Sequence, residues 1–566
     1  MKRIISLLLL CALVHTLFAQ NPAKYWVQFR DKANSPYSIE RPEEFLSPRA
    51  IEKRQRFNIE VTEQDLPVNE SYIKQLLDID ENMVVLTRSK WLNGVTVYST
   101  TKDIMAQIKK LNFVVMCECT VELSDEERFD YPRSSYAPPA KTKEVMAAVP
   151  SGQDHNYGYG ALQIGANNAH WLHRLGAYGE GMLMMVMDVG FENVNKLDCF
   201  DALRSEGRLL GSKNFVFPGR SIFIAGSHGT EVLSCIASYA EKEMIGTAPK
   251  AMFYLAKTED SRSENKIEED NWVAALEWAD SLGCDVINSS LGYYKFDNKS
   301  QSYHYEEITG KVSRASQAAS MAASKGIIVC VSAGNEGDGQ WHYITCPADA
   351  ENILTVGAID RDGTTASFSS YGPTADGRVK PDAVAIGSHV YVVTPKGETE
   401  YSFGTSFSSP VLSGMVACLW QLFPNSPAEK IIDAVRRAGI NFNNPTDQLG
   451  YGVTDFVSAY NHLSRNDEAP VLAAFASSSK KSSCTGICYA KKTVSSFTVE
   501  VRLNDSPTVT RQVIKVKGSP VNSEYVYAQY KIKLPKIPAT DEYGIAHVRI
   551  ICPDGTSYEQ IIGLYR

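Results

Sequence analysis

The stretch Gly404-Thr405-Ser406-Phe407-Ser408-Ser409-Pro410 places a small polar turn directly before an apolar run that extends from Val411 to Phe423. The run predicts a buried helix, and Pro410 suits its first turn, where a backbone N–H has no acceptor within the helix. Ser406 is therefore predicted at a helix N-terminus, where free N–H groups and the helix dipole favour negative charge. Serine is also a common N-cap residue, so its function depends on what else the chain brings to it.

Three further polar residues stand beside apolar segments in the same part of the chain. Asp188 follows the apolar run 182–187, His228 precedes an apolar helical segment, and Asn335 follows the run 327–331. Each of them is also compatible with a simple cap or turn role. Because functional residues gather at the carboxyl ends of parallel strands, we expect these three residues to lie beside Ser406. Together they would supply an orienting carboxylate, a base, an oxyanion donor and a nucleophile, as acyl transfer requires.

The order of elements over residues 159–464 predicts an α/β domain with a doubly wound parallel sheet. Continuous apolar runs, typical of strands buried on both faces, alternate here with helical segments. The predicted strands are 182–187, 251–256, 286–289 and 327–331, and the predicted helices include 268–282 and 313–325. A capping-box pattern that starts at Ser426 predicts a late helix through Ala438.

Two smaller units flank this domain. Residues 20–124 show mixed strand and helix signals and predict an α+β unit; the basic face of its first helix is expected to be a solvated surface. That face consists of Arg49, Lys53, Arg54 and Arg56. Residues 125–158 carry several prolines and predict an exposed linker, with the expected processing site. Residues 465–566 alternate apolar and polar side chains, which predicts a C-terminal all-β sandwich.

The amino terminus and the composition bound the location and the partners. Residues 1–19 combine Lys2 and Arg3 with a short apolar run, as in a secretory signal peptide, and the run is too short to span a bilayer. We therefore expect an exported protein, extracellular, periplasmic or on the cell surface, with no transmembrane segment after signal removal. A net charge of -8 argues against binding nucleic acid.

Cysteine usage does not predict a disulfide scaffold. Cys235, Cys330 and Cys418 stand inside apolar runs and are expected to be small core residues. Pairing among the cysteines of the C-terminal region (Cys484, Cys488 and Cys552) is left open, and no histidine completes a metal-ligand spacing there.

Taken together, the motifs resemble those of the subtilisin-like serine proteases (subtilases, peptidase S8 family). The order Asp, His, Ser along the chain is the one found in subtilisin. The resemblance is carried by Asp188-Val189-Gly190, His228-Gly229-Thr230, Asn288-Ser289-Ser290-Leu291-Gly292, Ser332-Ala333-Gly334-Asn335, Phe368-Ser369-Ser370-Tyr371-Gly372, Lys380-Pro381-Asp382 and Gly404-Thr405-Ser406 with Pro410. The chain departs from the usual motifs at Val189, Ser234 and Phe407-Ser408-Ser409, which concern packing around the site.

The resemblance implies roles for single residues. Ser406 would attack the scissile carbonyl, His228 would move the proton, and Asp188 would orient His228. Asn335, with the backbone N–H of Ser406, would hold the oxyanion. The cleft would be lined by two segments that pair with the substrate backbone, Ser290, Leu291, Gly292 and Ser332, Ala333, Gly334. The chemistry requires no cofactor. Structural calcium often accompanies the family, but turn-like acidic residues at Asp360, Asp362, Asp376 and Asp382 do not assign a site.

The implied function is that of a secreted serine endopeptidase that works through an acyl-enzyme and is made as a self-processing zymogen. Its partners would be polypeptide substrates and its own N-terminal unit, acting as a pro-domain that assists folding and inhibits. The alternative is a catalytically weak peptide-binding or adhesive envelope protein that uses the C-terminal β-domain. A peptide-binding pseudoprotease would be expected to lack a reacting residue, and none is missing. Ester and peptide substrates would separate a protease from another hydrolase.

Overall fold

The computed structural model describes residues 22–123, 156–174, 176–463, 471–477, 483–503, 506–520, 525–534, 543–555 and 557–565. The predicted signal peptide and nearly all of the predicted linker lie outside these residues. Among the residues that are described, no helix combines the length and the apolar character needed to cross a membrane.

The N-terminal unit is an antiparallel sheet with helices, as predicted. Its strands are β1 (Ala23–Phe29), β2 (Val84–Ser89), β3 (Gly94–Ser99) and β4 (Val114–Glu122), in the order β2-β3-β1-β4. Its α-helices are Pro48–Phe57, Glu70–Leu77 and Ile104–Ile108. Ser47 caps the first helix by accepting a hydrogen bond from the N–H of Ala50 at 3.2 Å. Ile104 and Ile108, four residues apart, turn the same helix face into the core.

The central domain confirms the predicted doubly wound parallel sheet. Its strands and short hairpins are β5 (Leu183–Asp188), β6 (Leu209–Asn214), β7 (Tyr239–Ala240), β8 (Met244–Ile245), β9 (Met252–Lys257), β10 (Val286–Ser289), β11 (Ile328–Ser332), β12 (Leu354–Ile359), β13 (Ala383–Ile386), β14 (Val390–Val393) and β15 (Thr399–Ser402). Seven of them form one parallel sheet in the order β13-β12-β11-β10-β5-β9-β6. The α-helices are Ala161–Gly165, His170–Arg174, Asp201–Ser205, Ser227–Ala237, Ile267–Leu282, Arg314–Ser324, Thr405–Leu422, Ala428–Arg437 and Phe456–Leu463.

The side chains of β5 alternate between the two faces of the sheet, and both faces are buried. This explains why the strands of the sheet consist of continuous apolar residues. Met184 and Val186 point into the core on one face of the sheet, whereas Met185 and Met187 point into the core on the other. All four are fully buried, because helices cover both faces. The helix Thr405–Leu422 packs on the first face, and the helices Ile267–Leu282 and Arg314–Ser324 pack on the second.

The N-terminal unit packs on the helix Ile267–Leu282 through buried ion pairs, which corrects the expectation of a solvated basic face for Lys53 and Arg54, whereas Arg56 is exposed as expected. Arg54 is only 2% exposed and binds both Asp280, at 2.9 Å, and Asp65, at 3.0 Å. Lys90 also binds Asp280, at 2.6 Å. Buried guanidinium groups require charged partners. The acidic partner Asp280 stands 226 residues further along the chain, so a local sequence pattern could not reveal it.

The C-terminal region contains the predicted β-sandwich. Its strands are β16 (Val471–Ser477), β17 (Ser483–Lys491), β18 (Ser496–Leu503), β19 (Val509–Lys515), β20 (Ser519–Pro520), β21 (Tyr525–Lys533), β22 (Tyr543–Ile551) and β23 (Ser557–Tyr565). They form two antiparallel sheets, ordered β16-β17-β21-β20 and β19-β18-β22-β23. Phe497, Val499 and Val501 alternate with polar residues along β18 and share one core with Ile532 of the other sheet.

The cysteines of the central domain are core residues. Cys235, Cys330 and Cys418 are buried free thiols, as predicted. Burial raises the pKa of such thiols well above their ordinary range, which keeps them unreactive. The side chains of Cys484 and Cys488 lie outside the described residues, so pairing in the C-terminal region stays open.

Candidate active site

Asp188 and His228 form a hydrogen-bonded pair at the carboxyl edge of the parallel sheet. Asp188 is the last residue of β5, and His228 lies in the first turn of the helix Ser227–Ala237, which we call the histidine helix. The Nδ1 atom of His228 lies 2.8 Å from Oδ1 of Asp188. Asp188 is fully buried, and the same oxygen accepts the backbone N–H of Val189 at 2.8 Å. The carboxylate is thus held rigidly, and it fixes the orientation of the imidazole.

Gly229 permits this close approach of the histidine helix to β5. A Cβ atom at that position would lie 2.1 Å from the carbonyl oxygen of Gly190 and 2.9 Å from Cβ of Asp188. Real Cβ atoms do not tolerate such distances, so only glycine allows the pair to form at this spacing. The glycine after the histidine therefore has a steric cause in this structure.

The surroundings of His228 favour its protonated form. Partial burial of the ring disfavours the charge. The negative charge of Asp188 and its hydrogen bond favour the charge and outweigh burial, and the negative charge of Glu231 favours it further. The net result raises the pKa of His228 above its ordinary value. A raised pKa strengthens the imidazole as a base, provided that the pH lies above it.

Ser406 lies in the first turn of the helix Thr405–Leu422, which we call the serine helix. It is 8% exposed, and its hydroxyl donates to the carbonyl oxygen of Ser290 at 3.3 Å. The next residue, Phe407, places its ring 5.6 Å from the imidazole of His228, centroid to centroid. The histidine and serine helices are therefore neighbours at the site. Within the described part of the chain, no hydrogen bond joins His228 to the hydroxyl of Ser406, which is bound to Ser290 instead.

The position of Pro410 differs from the prediction. The serine helix begins at Thr405, so Pro410 lies inside the helix and not in its first turn. Proline has no N–H to donate to the carbonyl four residues earlier, which is that of Ser406. The hydroxyl of Ser290 donates to this carbonyl in its place, at 2.8 Å. Ser406 and Ser290 are thereby joined by two hydrogen bonds of opposite direction.

Asn335 is exposed, and its side-chain amide has a fixed orientation beside the serine helix. Its Oδ1 atom accepts the backbone N–H of Thr405 at 2.8 Å and the hydroxyl of Thr405 at 2.9 Å. Since a backbone N–H can only donate, the oxygen of the amide must face Thr405. The Nδ2 group is consequently turned away from Thr405 and remains able to donate to another group.

The two segments predicted to bind the substrate backbone lie side by side. Ser290–Gly292 follows β10, and Ser332–Gly334 ends β11 and continues beyond it; the two strands are paired in parallel. Gly292 is exposed and Gly334 is half-buried, so their backbones face an opening. Beyond Leu291 and Gly292 lies a cavity of about 360 Å³ whose lining includes four carboxylic acids, Glu259, Asp260, Glu264 and Glu268.

Two of the residues that depart from the usual motifs, Ser234 and Ser409, make hydrogen bonds to distant parts of the chain. Ser234, in the histidine helix, accepts the backbone N–H of Val393 at 2.9 Å. Ser409 donates to Oδ1 of Asn288 at 2.9 Å, and Nδ2 of Asn288 donates to the hydroxyl of Ser290 at 3.1 Å. These hydrogen bonds tie Ser234 to β14 and Ser409 to Asn288 and Ser290.

Two of the acidic residues considered for calcium, Asp376 and Asp382, are already paired with cationic side chains. Asp382 is buried and paired with both Lys380, at 2.6 Å, and Arg436, at 2.7 Å. Asp376 binds Arg378 at 3.0 Å. Carboxylates already bound to cationic side chains lack the free oxygens that calcium requires. Across the described residues, moreover, no three histidine, cysteine or acidic residues group together as metal ligands.

Thr405 and Asn288 both lie inside the subtilase-like motifs, but the sequence predicted no separate role for either of them. Thr405 orients the amide of Asn335, and Asn288 joins Ser409 to Ser290. The role of Thr405 could have been predicted, because it is a small polar residue next to the predicted nucleophile Ser406. The role of Asn288 depends on its contact with Ser409, 121 residues away, for which the sequence holds no local signal.

Comparison with known proteins places this chain among proteases. Residues 180–452 match the profile described as Subtilase family, and residues 24–133 match that of the Peptidase S8 propeptide domain, Bacteroidota. Subtilisin Savinase of Lederbergia lenta is 29% identical over 289 residues, covering 51% of this chain and 93% of that protein. M-protease of Shouchella clausii (strain KSM-K16) is 29% identical over 289 residues, covering 51% of this chain and 66% of that protein. The crystal structure of MycP1 from Mycobacterium smegmatis is 20% identical with a TM-score of 0.41, covering 56% of this chain and 89% of that one.

The matched sequence segments define the class of this protein as a serine-type endopeptidase. Residues 180–452 form a subtilase-family domain, and a peptidase S8 propeptide domain precedes it. The N-terminal unit described above is accordingly called the pro-domain.

Proposed function

We propose that this protein cleaves peptide bonds through Ser406, His228 and Asp188. Ser406 attacks the scissile carbonyl while Nε2 of His228 takes its proton, and His228 then returns that proton to the leaving amine. A rotation about the Cα–Cβ bond of Ser406 turns its hydroxyl from Ser290 towards His228. Such hydrogen bonds are often loose before substrate binds. The acyl-enzyme formed on Ser406 is then released by water.

Asn335 supplies the oxyanion donor in this proposal. Thr405 holds Oδ1 of its amide, so Nδ2 is the group left to donate to the negative oxygen of the tetrahedral intermediate. The backbone N–H of Ser406, in the first turn of the serine helix, is the second donor. That N–H has no carbonyl acceptor within the helix, and it lies at the positive end of the dipole.

The protein is proposed to be made as an exported zymogen that processes itself. The basic and apolar pattern of residues 1–19 supports export, and the propeptide domain supports a precursor form. Cleavage is expected in segment 125–158. The boundaries at residues 19, 124, 158 and 464 remain predictions, as does the separate role of the C-terminal sandwich.

The observation that carries the proposal is the hydrogen bond between Asp188 and His228 next to the serine helix. The Ser406→Ala variant tests it. We expect the full-length precursor to accumulate uncut, whereas the wild type is processed and is labelled by a serine-directed phosphonate.

The control is Ser408→Ala, because the hydroxyl of Ser408 donates to the carbonyl of Thr405, within its own helix turn. It should be processed and labelled as the wild type is. Equal processing of Ser406→Ala and wild type would show that another protease does the cutting. Labelling that persists in Ser406→Ala would refute the nucleophile. Deletion of the residues after Arg465 distinguishes the protease from the adhesive alternative. The alternative predicts that the deletion abolishes surface binding and leaves cleavage intact.

A further inference from the structure

Thr345 bounds the space between the two cleft segments from below, and the hydroxyl of Ser370 lies beside it under Gly334, 2.9 Å from the position of a Cβ atom there. A Cβ atom at Gly292 would lie 2.1 Å from Oγ1 of Thr345, and one at Gly334 would lie 3.1 Å from both Oγ1 and Cγ2. The threonine thus contacts the bare backbone of both walls at once. Any group that enters between Gly292 and Gly334 meets Thr345 as the floor.

Backbone hydrogen bonds hold Thr345 in this place from both sides. Its N–H donates to the carbonyl of Ala333 at 3.1 Å, on one wall. The following residue, Cys346, exchanges two backbone hydrogen bonds with Tyr293, on the other wall, at 2.6 and 2.9 Å. Both walls and the backbone of the floor therefore form one hydrogen-bonded unit.

The hydroxyl of Thr345 is a second, independent sign that a ligand group comes here. Thr345 is 3% exposed, and its Oγ1 has no hydrogen-bond partner among the described residues. A buried hydroxyl without a partner costs about 1–3 kcal/mol. The wall residues next to Thr345 are Gly292 and Gly334, which have no side chains. Oγ1 of Thr345 therefore faces the space that a substrate group would occupy.

We propose that Thr345 determines specificity by restricting the substrate residue that donates the attacked carbonyl to short side chains: glycine, alanine or serine. This inference rests on the proposed function, because it needs the substrate backbone to lie between Ser290–Gly292 and Ser332–Gly334 with its carbonyl at Ser406. A side chain projecting from that residue then points between the two glycines. Alanine and serine fit above Thr345, and a serine hydroxyl can pair with its Oγ1. Phenylalanine and leucine collide with it.

The test uses the protein expressed as the full-length chain and allowed to process itself. Its substrates are peptide anilides that differ only in the residue whose carbonyl is attacked: Ala, Ser, Leu or Phe. For the wild type we expect kcat/KM for Ala and Ser to exceed that for Phe by at least about tenfold, since one methylene too many is already worth roughly 10–200-fold. Thr345→Gly should raise the Phe-to-Ala ratio at least about tenfold. Thr345→Val keeps the volume, so it should keep the preference for Ala over Phe while lowering the ratio of Ser to Ala.

The control Thr364→Gly makes the same exchange in an exposed turn and should leave every ratio unchanged. A wild type that cleaves Phe as well as Ala, or a Phe-to-Ala ratio unmoved in Thr345→Gly, overturns the role of Thr345. Loss of the preference for Ala in Thr345→Val overturns the explanation by volume. Absence of cleavage of all anilides together with absence of phosphonate labelling at Ser406 overturns the proposed function itself, and the two failures are thereby distinguished.

Discussion

Release of the pro-domain is predicted to depend on pH through Glu277. This residue lies in the helix Ile267–Leu282 of the catalytic domain and is 5% exposed in the complex. Its carboxylate accepts three hydrogen bonds from the pro-domain: from the hydroxyl of Ser89 at 2.5 Å and from the N–H groups of Lys90 and Trp91 at 2.6 and 3.0 Å. Burial is the largest influence and raises the pKa of Glu277 from 4.5 to about 7, although Lys90 and the three hydrogen bonds lower it.

The raised pKa fixes the sign of the effect. Dissociation returns Glu277 to water, where its pKa falls back towards 4.5, so the complex binds more protons than the separated domains. The contribution of Glu277 is therefore fully present below pH 4.5 and is lost as the pH rises through 7. Between pH 5.5 and 7.5 the dissociation constant should rise about 20-fold. Asp270 binds Thr96 of the pro-domain and Arg314. Burial raises the pKa of Asp270 to about 6, so this residue adds an effect of the same sign at lower pH.

The assay uses the full-length Ser406→Ala chain, so that the protein cannot digest itself. A recognition site for an unrelated protease is placed in segment 124–155 and cut, and dissociation of the two parts is then measured against pH. Glu277→Gln removes the titration and should flatten most of the dependence, while exposed Glu429→Gln should leave it unchanged. A dissociation constant that is independent of pH in the wild type, or an equally steep dependence in Glu277→Gln, would refute the reasoning.

Three further predictions concern the site. Asn335→Ala should lower kcat by about 100- to 1,000-fold with little change in KM, a magnitude that comes from the corresponding asparagine of subtilisin itself, and steady-state kinetics checks it. The acid limb of kcat/KM should have its midpoint above pH 6.5, because the pKa of His228 is raised, and Glu231→Gln should move it to lower pH; an unmoved midpoint would contradict the assigned surroundings of His228. Ser290→Ala should destabilise the fold by about 1–3 kcal/mol by leaving the Ser406 carbonyl without a donor, and Pro410→Ala in the same chain should restore part of the loss, as thermal unfolding would show.

Much of the fold could be predicted because the relevant signals are local. The predicted strand 286–289 agrees with β10, and the helix predicted over 313–325 is observed at Arg314–Ser324 with Ser313 as its cap. Continuous apolar runs mark strands that are buried on both faces, and this condition depends only on neighbouring residues.

Some predictions were wrong in detail or overlooked partners that are distant in the chain. The helix predicted after Ser426 is observed at Ala428–Arg437, but the capping box does not form, because Pro427 is the N-cap residue and no side chain caps the helix. The basic face around Arg54 is buried because its acidic partner comes from another domain. Thr345 had no signal at all, since its role arises only when two glycines from separate strands meet above it.

Pro410 accounts for the way in which the nucleophile and the cleft are held together. With any other residue at 410, a backbone N–H would compete for the Ser406 carbonyl. Because proline offers none, the carbonyl accepts the hydroxyl of Ser290, whose oxygen in turn accepts from Asn288, which accepts from Ser409. Every donor in this buried chain has one acceptor, and the chain starts and ends on the serine helix. The position of Ser406 and the edge of the substrate cleft are therefore set by one network, so that a change in either must displace the other.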